Sequence, residues 1–169
     1  GKSMTALAIA RLLPNMARIS GGQVLLDGTD LVRLSQADMR RVRGRRVAMV
    51  FQEPRLAPWC TALENVELVL APAARAKAAA WLERVGLGDA LHVYPSALSG
   101  GMRQRVAVAR ALAIDAAIVL VDEPFSNLDA TTAAALRDDL TAHLHLLGRT
   151  TIWVTHDARE AATVASRTL

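Results

Sequence analysis

Three short apolar runs, Val47-Ala48-Met49-Val50-Phe51, Ile118-Val119-Leu120-Val121 and Thr151-Ile152-Trp153-Val154-Thr155, limit the folds open to this chain. A strand with one wet face alternates apolar and polar side chains. A continuous apolar run of this length suits a strand covered on both faces, the condition of a parallel sheet. Between the runs lie segments with helical character. Ser3 to Leu13 is rich in Ala and Leu and closed by Pro14, and Ser35 to Arg43 is polar. A helix is expected from Gly101 towards Ile114. Another is expected from Ala130 to Leu147, with Leu136, Leu140, Leu144 and Leu147 on one stripe and Gly148 as its C-cap. Gln23 to Leu26 reads as a short strand ended by the turn signal Asp27-Gly28. The alternation predicts an α/β fold with a parallel or mixed sheet and functional residues at the strands' C-terminal ends, where Lys2, Gln52, Asp122 and His156 all fall.

From Pro54 to Ala97 the pattern changes to helices separated by Pro and Gly, with Thr61 to Leu70 and Arg75 to Val85 as the candidates. The whole of 1–169 is expected to form one domain, with 1–53 and 115–169 as its core and 54–114 as an inserted helical lobe. A chain of 169 residues that is 52% hydrophobic can build that core. No apolar run approaches the roughly 18 residues needed to cross a bilayer, so a membrane role would have to come through a partner. The single Cys60 excludes an internal disulfide and fits a reducing cytoplasm. The net charge of +4 would admit nucleic acid. The basic residues are dispersed outside Arg40 to Arg46 and aromatics make up only 4%, so nucleic acid is not the expected partner.

Two elements carry chemistry by their residue types. Gly1-Lys2-Ser3 matches the end of a phosphate-binding P-loop, in which backbone N–H groups and a helix N-terminus hold phosphates, the Lys reaches the β- and γ-phosphates and the Ser hydroxyl binds Mg²⁺. The glycine-rich half of such a loop would precede Gly1, so further chain is expected upstream, and the 169 residues alone are expected to bind ATP weakly. Asp122 at a strand tip can hold a Mg²⁺ shell, and Glu123 beside it can polarise an attacking water.

Leu98-Ser99-Gly100-Gly101-Met102-Arg103-Gln104-Arg105, placed shortly before the strand ending in Asp122-Glu123, resembles the L-S-G-G-Q signature of the ABC ATPase family, with Met102 departing at its last position. The resemblance implies the P-loop NTPase fold and a set of roles in family order. Gln52 is similar to the Q-loop glutamine that contacts Mg²⁺ or water. Ser126-Asn127-Leu128-Asp129 resembles the D-loop that meets the opposite subunit, with Asp129 at the nucleotide. His156 resembles the switch histidine at the γ-phosphate. ATP and Mg²⁺ are thus implied as ligands, bound by Gly1, Lys2, Ser3, Asp122 and Asp129 and, across a head-to-tail dimer, by Ser99, Gly100 and Gly101. The expected partners are a second ATPase subunit, transmembrane permease subunits and a solute-binding protein, with the domain held on the cytoplasmic face of the membrane. Family members that act on DNA or ribosomes insert a long coiled coil or carry two cassettes, and the compact stretch from Gln52 to Leu98 favours a transporter. Gln52 to Trp59 and Thr61 to Val66 look like importers of nitrate, sulfonate or taurine, whereas Asp27 to Phe51 is closer to oligopeptide or glycine-betaine importers.

Overall fold

The computed structural model describes residues 2–126 and 128–166; the side chain of Lys2 lies outside the described residues, as do Gly1 and Asn127. Three parallel strands, β3 (Val47–Val50), β4 (Ile118–Asp122) and β5 (Thr150–Val154), form a sheet with β4 in the centre. A separate two-stranded antiparallel hairpin, β1 (Leu25–Leu26) with β2 (Thr29–Asp30), turns through Asp27 and Gly28. Both turn residues have positive φ, 47° and 78°, as a tight two-residue hairpin of the right-handed twist requires. The expected strand over 23–26 is shorter as a ladder, pairing only at Leu25 and Leu26, although the Leu31 N–H still donates to the Val24 carbonyl at 2.8 Å.

The apolar runs become two-sided for the reason their composition suggests. Val47 and Leu120 join Ala10 of helix α1 (Lys2–Ile9 and the turn after it) in a small core, with Val42, Met49 and Ile118 packed against it. Ala48, Val50, Val119 and Val121, the alternate residues, face the main core. That core is built from helices α3 (Ala62–Glu67), α4 (Arg75–Arg84), α5 (Gly100–Ala113) and α6 (Ala130–Leu146). Side chains point alternately to the two faces of a strand, so a continuous apolar run feeds both layers.

Helix ends follow their caps. Ser35 accepts from the Asp38 N–H at the start of α2 (Gln36–Arg43). Thr61 and Glu64 form a reciprocal capping box on α3, and Asp129 accepts from the Thr132 N–H on α6. Gly148, with φ 59°, follows α6 as expected. Two helices are shorter than their composition suggests. The first stops at Ile9 rather than Leu13, because Arg11 takes φ 51° and the Arg43 guanidinium binds the carbonyls of Ala10 and Arg11. The helix expected over 61–70 ends at Glu67, three residues short of Leu70.

Candidate active site

Parallel register brings the three strand ends to one edge. Val50 pairs with Val121, and Asp122 pairs with Val154. The residues that follow, Gln52, Glu123 and His156, therefore emerge together although they are far apart in sequence. The Glu123 N–H donates to the Val154 carbonyl at 3.0 Å, which extends the β4–β5 ladder by one residue.

Asp122 and Glu123 sit in different surroundings. Asp122 is 7% exposed, and its Oδ1 has no hydrogen-bond partner among the described residues. A buried carboxylate oxygen left unpaired costs free energy unless a cation or its water shell meets it. Glu123 turns out of the strand at φ 43°, a region that non-glycine residues seldom occupy and that clusters at functional sites. Its Oε2 lies 3.2 Å from His156 Nδ1, with the imidazole largely exposed. His156 is presented by a tight exit from β5: the Asp157 N–H donates to Thr155 Oγ1 at 3.0 Å, and the same hydroxyl donates to Glu160.

Gln52 joins this group from β3. Its Nε2 donates to Ser126 Oγ at 3.0 Å, and that hydroxyl donates to the Glu123 carbonyl at 3.1 Å. Ser3 is half-buried in the first turn of α1, a helix that packs on β4 and β5. Gly1 and the Lys2 side chain, expected at the phosphates, lie outside the described residues.

The signature segment stands apart from this cluster. Ser99 caps α5 by accepting from the Met102 N–H at 3.2 Å, and among the described residues its own O–H proton has no acceptor. A Cβ on Gly101 would come within 3.1 Å of the Thr132 methyl, and one on Gly100 within 3.7 Å of Leu128. Gly101 thus lets α5 begin close against the first turn of α6, whereas a Cβ on Gly100 would make an ordinary contact. No hydrogen bond or ion pair among the described residues links Ser99, Gly100 or Gly101 to Gln52, Asp122, Glu123 or His156. Asp129 accepts the Thr132 N–H at 3.0 Å, and this bond holds its carboxyl below the usual carboxylate range.

Three residues make contacts that the sequence did not announce, although Ser126 belongs to the D-loop-like stretch and Gln104 to the signature-like octet. Ser126 is placed between Gln52 and Glu123 by the loop after β4. Gln104 and Arg110 reach from α5 to the backbone around Gln52: Gln104 Nε2 to the Phe51 carbonyl at 3.1 Å, and the Arg110 guanidinium to the carbonyls of Pro54 at 2.7 Å and Arg55 at 3.0 Å. Their partners lie more than fifty residues away, so no local pattern announces them.

A family model described as ABC transporter matches residues 1–126. The glycine betaine/proline betaine transport system ATP-binding protein ProV of Salmonella typhimurium is 42% identical over 165 residues, covering 94% of this chain and 41% of that protein. The aliphatic sulfonates import ATP-binding protein SsuB of Cupriavidus necator is 39% identical over 159 residues, covering 94% of this chain and 50% of that protein. The chain thus spans about half or less of the length of these two relatives. Among solved structures, the ATP-binding cassette MJ0796 in a dimeric post-hydrolysis state bound to ADP and Pi superposes with a TM-score of 0.82 at 32% identity, covering 95% of this chain and 72% of that one.

Proposed function

The chain belongs to the ABC transporter family, and from that premise we propose that it binds ATP with Mg²⁺, hydrolyses it between two head-to-tail copies, and so drives solute uptake through permease subunits. The observation that carries this reading is the gathering of Gln52, Asp122, Glu123 and His156 at one sheet edge with Asp122 Oδ1 buried and without a partner among the described residues. Among the described residues no group of three or more His, Cys, Asp or Glu could hold a metal alone. That suits Mg²⁺, which is held by one or two carboxylates together with substrate phosphates rather than by an all-protein cage. Asp122, Ser3 and Gln52 are the residues that would hold it, and when bound it would neutralise charge on the phosphate oxygens.

Glu123 accepts the proton of the attacking water, and its turn out of β4 sets the carboxylate at the exposed edge. His156, 3.2 Å from that carboxylate, supplies a donor to the γ-phosphate. Lys2 and the start of α1 take the remaining phosphate charge. The Ser99 hydroxyl and the α5 N-terminus, which share no hydrogen bond with this cluster among the described residues, serve the nucleotide of the opposite copy, with Gly100 and Gly101 permitting close approach. Fixed donors around the developing charge are the main catalytic term. The dimeric relative bound to ADP and Pi supports this pairing.

In this reading 1–53 and 115–169 form the nucleotide-binding core and 54–114 the lobe that meets the permease. The packing of α3, α4 and α5 on one another supports that division. No helix among the described residues is long and apolar enough to cross a membrane; in this reading the domain is held at the inner face by its permease. The solute is selected by the partner subunits, including a solute-binding protein. The betaine and sulfonate relatives point to small charged organic solutes, with sulfonates as the first reading from residues 52–66 and betaines as the second. A Mg²⁺-dependent ATPase assay on the full-length protein tests the chemistry. Asp122→Asn should lose the Mg²⁺ dependence with most of the rate, and an unchanged Mg²⁺ profile would remove Asp122 from that role.

A further inference from the structure

The segment that carries Gln52 has no secondary structure of its own between β3 and α3, so its backbone carbonyls need partners from elsewhere. Pro54 removes one N–H from the stretch, and Arg55 adopts φ 48° with its guanidinium 4.2 Å above the Phe51 ring. The loop is thereby folded back on its own entrance. What pins it is α5. Gln104, 2% exposed, binds the carbonyl immediately before Gln52. Arg110 binds the two carbonyls immediately after Glu53. The two anchors lie six residues apart on α5, about 9 Å along its axis, and straddle the two exposed side chains between them.

Arg110 is an expensive choice for this position. It is half-buried beside Ala111 and near Ile114, and among the described residues no carboxylate lies within 4.0 Å of it. Desolvation lowers its pKa. A half-buried cation without a counter-ion is tolerated only where its donors are used, and an aliphatic side chain would fill the same space at less cost. The planar fork of an arginine holds two successive carbonyls in one fixed geometry, whereas a lysine ammonium is a flexible point charge without that fork.

We propose that Arg110, supported by Gln104, is a positioning residue for the ATPase site: it clamps the Phe51–Arg55 backbone to α5, so that Gln52 moves with the helix whose first turn carries Ser99. This rests on the ATPase reading for its effect on turnover, though not for the clamp itself. Re-orientation of the signature helix towards a partner's nucleotide is then felt at the chain's own Gln52 without any contact between Ser99 and Gln52.

The test compares Arg110→Met and Arg110→Lys with the parent in the full-length protein, by amide hydrogen exchange of the 52–57 segment and by steady-state ATPase kinetics. The clamp predicts at least tenfold faster exchange in 52–57 for the methionine variant, with the middle of α5 unchanged. It predicts kcat lower by tenfold or more and KM for ATP within threefold. The lysine variant, which keeps the charge and one bond, should fall between parent and methionine in both readouts, and it decides the matter by itself if the methionine variant does not fold. Unchanged exchange in 52–57 would overturn the clamp, as would a loosened loop with unchanged kcat. A parent protein that turns over no ATP while 52–57 loosens as expected would instead count against the ATPase reading.

Discussion

The side-chain amide of Gln52 donates to the hydroxyl of Ser126 at 3.0 Å, across 74 positions of sequence. Because that hydroxyl donates in turn to the Glu123 carbonyl, the glutamine after β3 and the glutamate after β4 are joined through one serine. Ser126→Ala should cost little stability, since Gln52 is exposed, but it should loosen both groups. The lost bonds are worth about 1 kcal/mol, or about fivefold in kcat, with little change in KM. Steady-state kinetics on the full-length variant checks this, and equal kcat values would show that the link is incidental.

Asn65 is fully buried and makes four bonds to the loop before α3: its Nδ2 donates to the carbonyls of Ala57, Cys60 and Thr61, and its Oδ1 accepts from the Ala57 N–H. Asn65→Ala leaves a backbone N–H unpaired and should destabilise by roughly 2–4 kcal/mol. Urea denaturation should show a lower midpoint with an unchanged slope.

Acid should weaken α6 through Asp129. The backbone N–H of Thr132 holds the Asp129 carboxyl below the usual carboxylate range. A depressed folded-state pKa contributes stability that is complete above the unfolded value, about 3.9, and is lost as pH falls through the folded one. Asp129→Asn keeps a helix cap but cannot titrate. Thermal melts should therefore find the parent more stable at pH 6 and the gap closing towards pH 3. Glu64, depressed by its backbone bond to Thr61, carries the same sign and remains in both proteins.

The sheet and the placement of the site were legible where cause and effect are local. The run from Ile118 to Asp122 reads as a strand with its observed bounds because it is apolar on both faces, and Gly148 marks the end of α6 because it acts on the helix's own last turn. The early end of α1 was hidden, since Arg43 holds its last carbonyls from 32 and 33 residues away. The clamp from Gln104 and Arg110 was hidden for the same reason, and both residues look in sequence like ordinary members of an amphipathic helix. Ser126 was visible as part of a D-loop-like stretch, but its bond to Gln52 exists only once parallel register aligns β3 with β4.

The account stands or falls on Glu123 as the group that activates water beside His156. In the full-length protein, Glu123→Gln should bind ATP with near-parental affinity, hydrolyse it at least about a hundredfold more slowly, and elute as a dimer when ATP and Mg²⁺ are present. Hydrolysis at the parental rate by that variant, measured as phosphate release, would contradict the central claim.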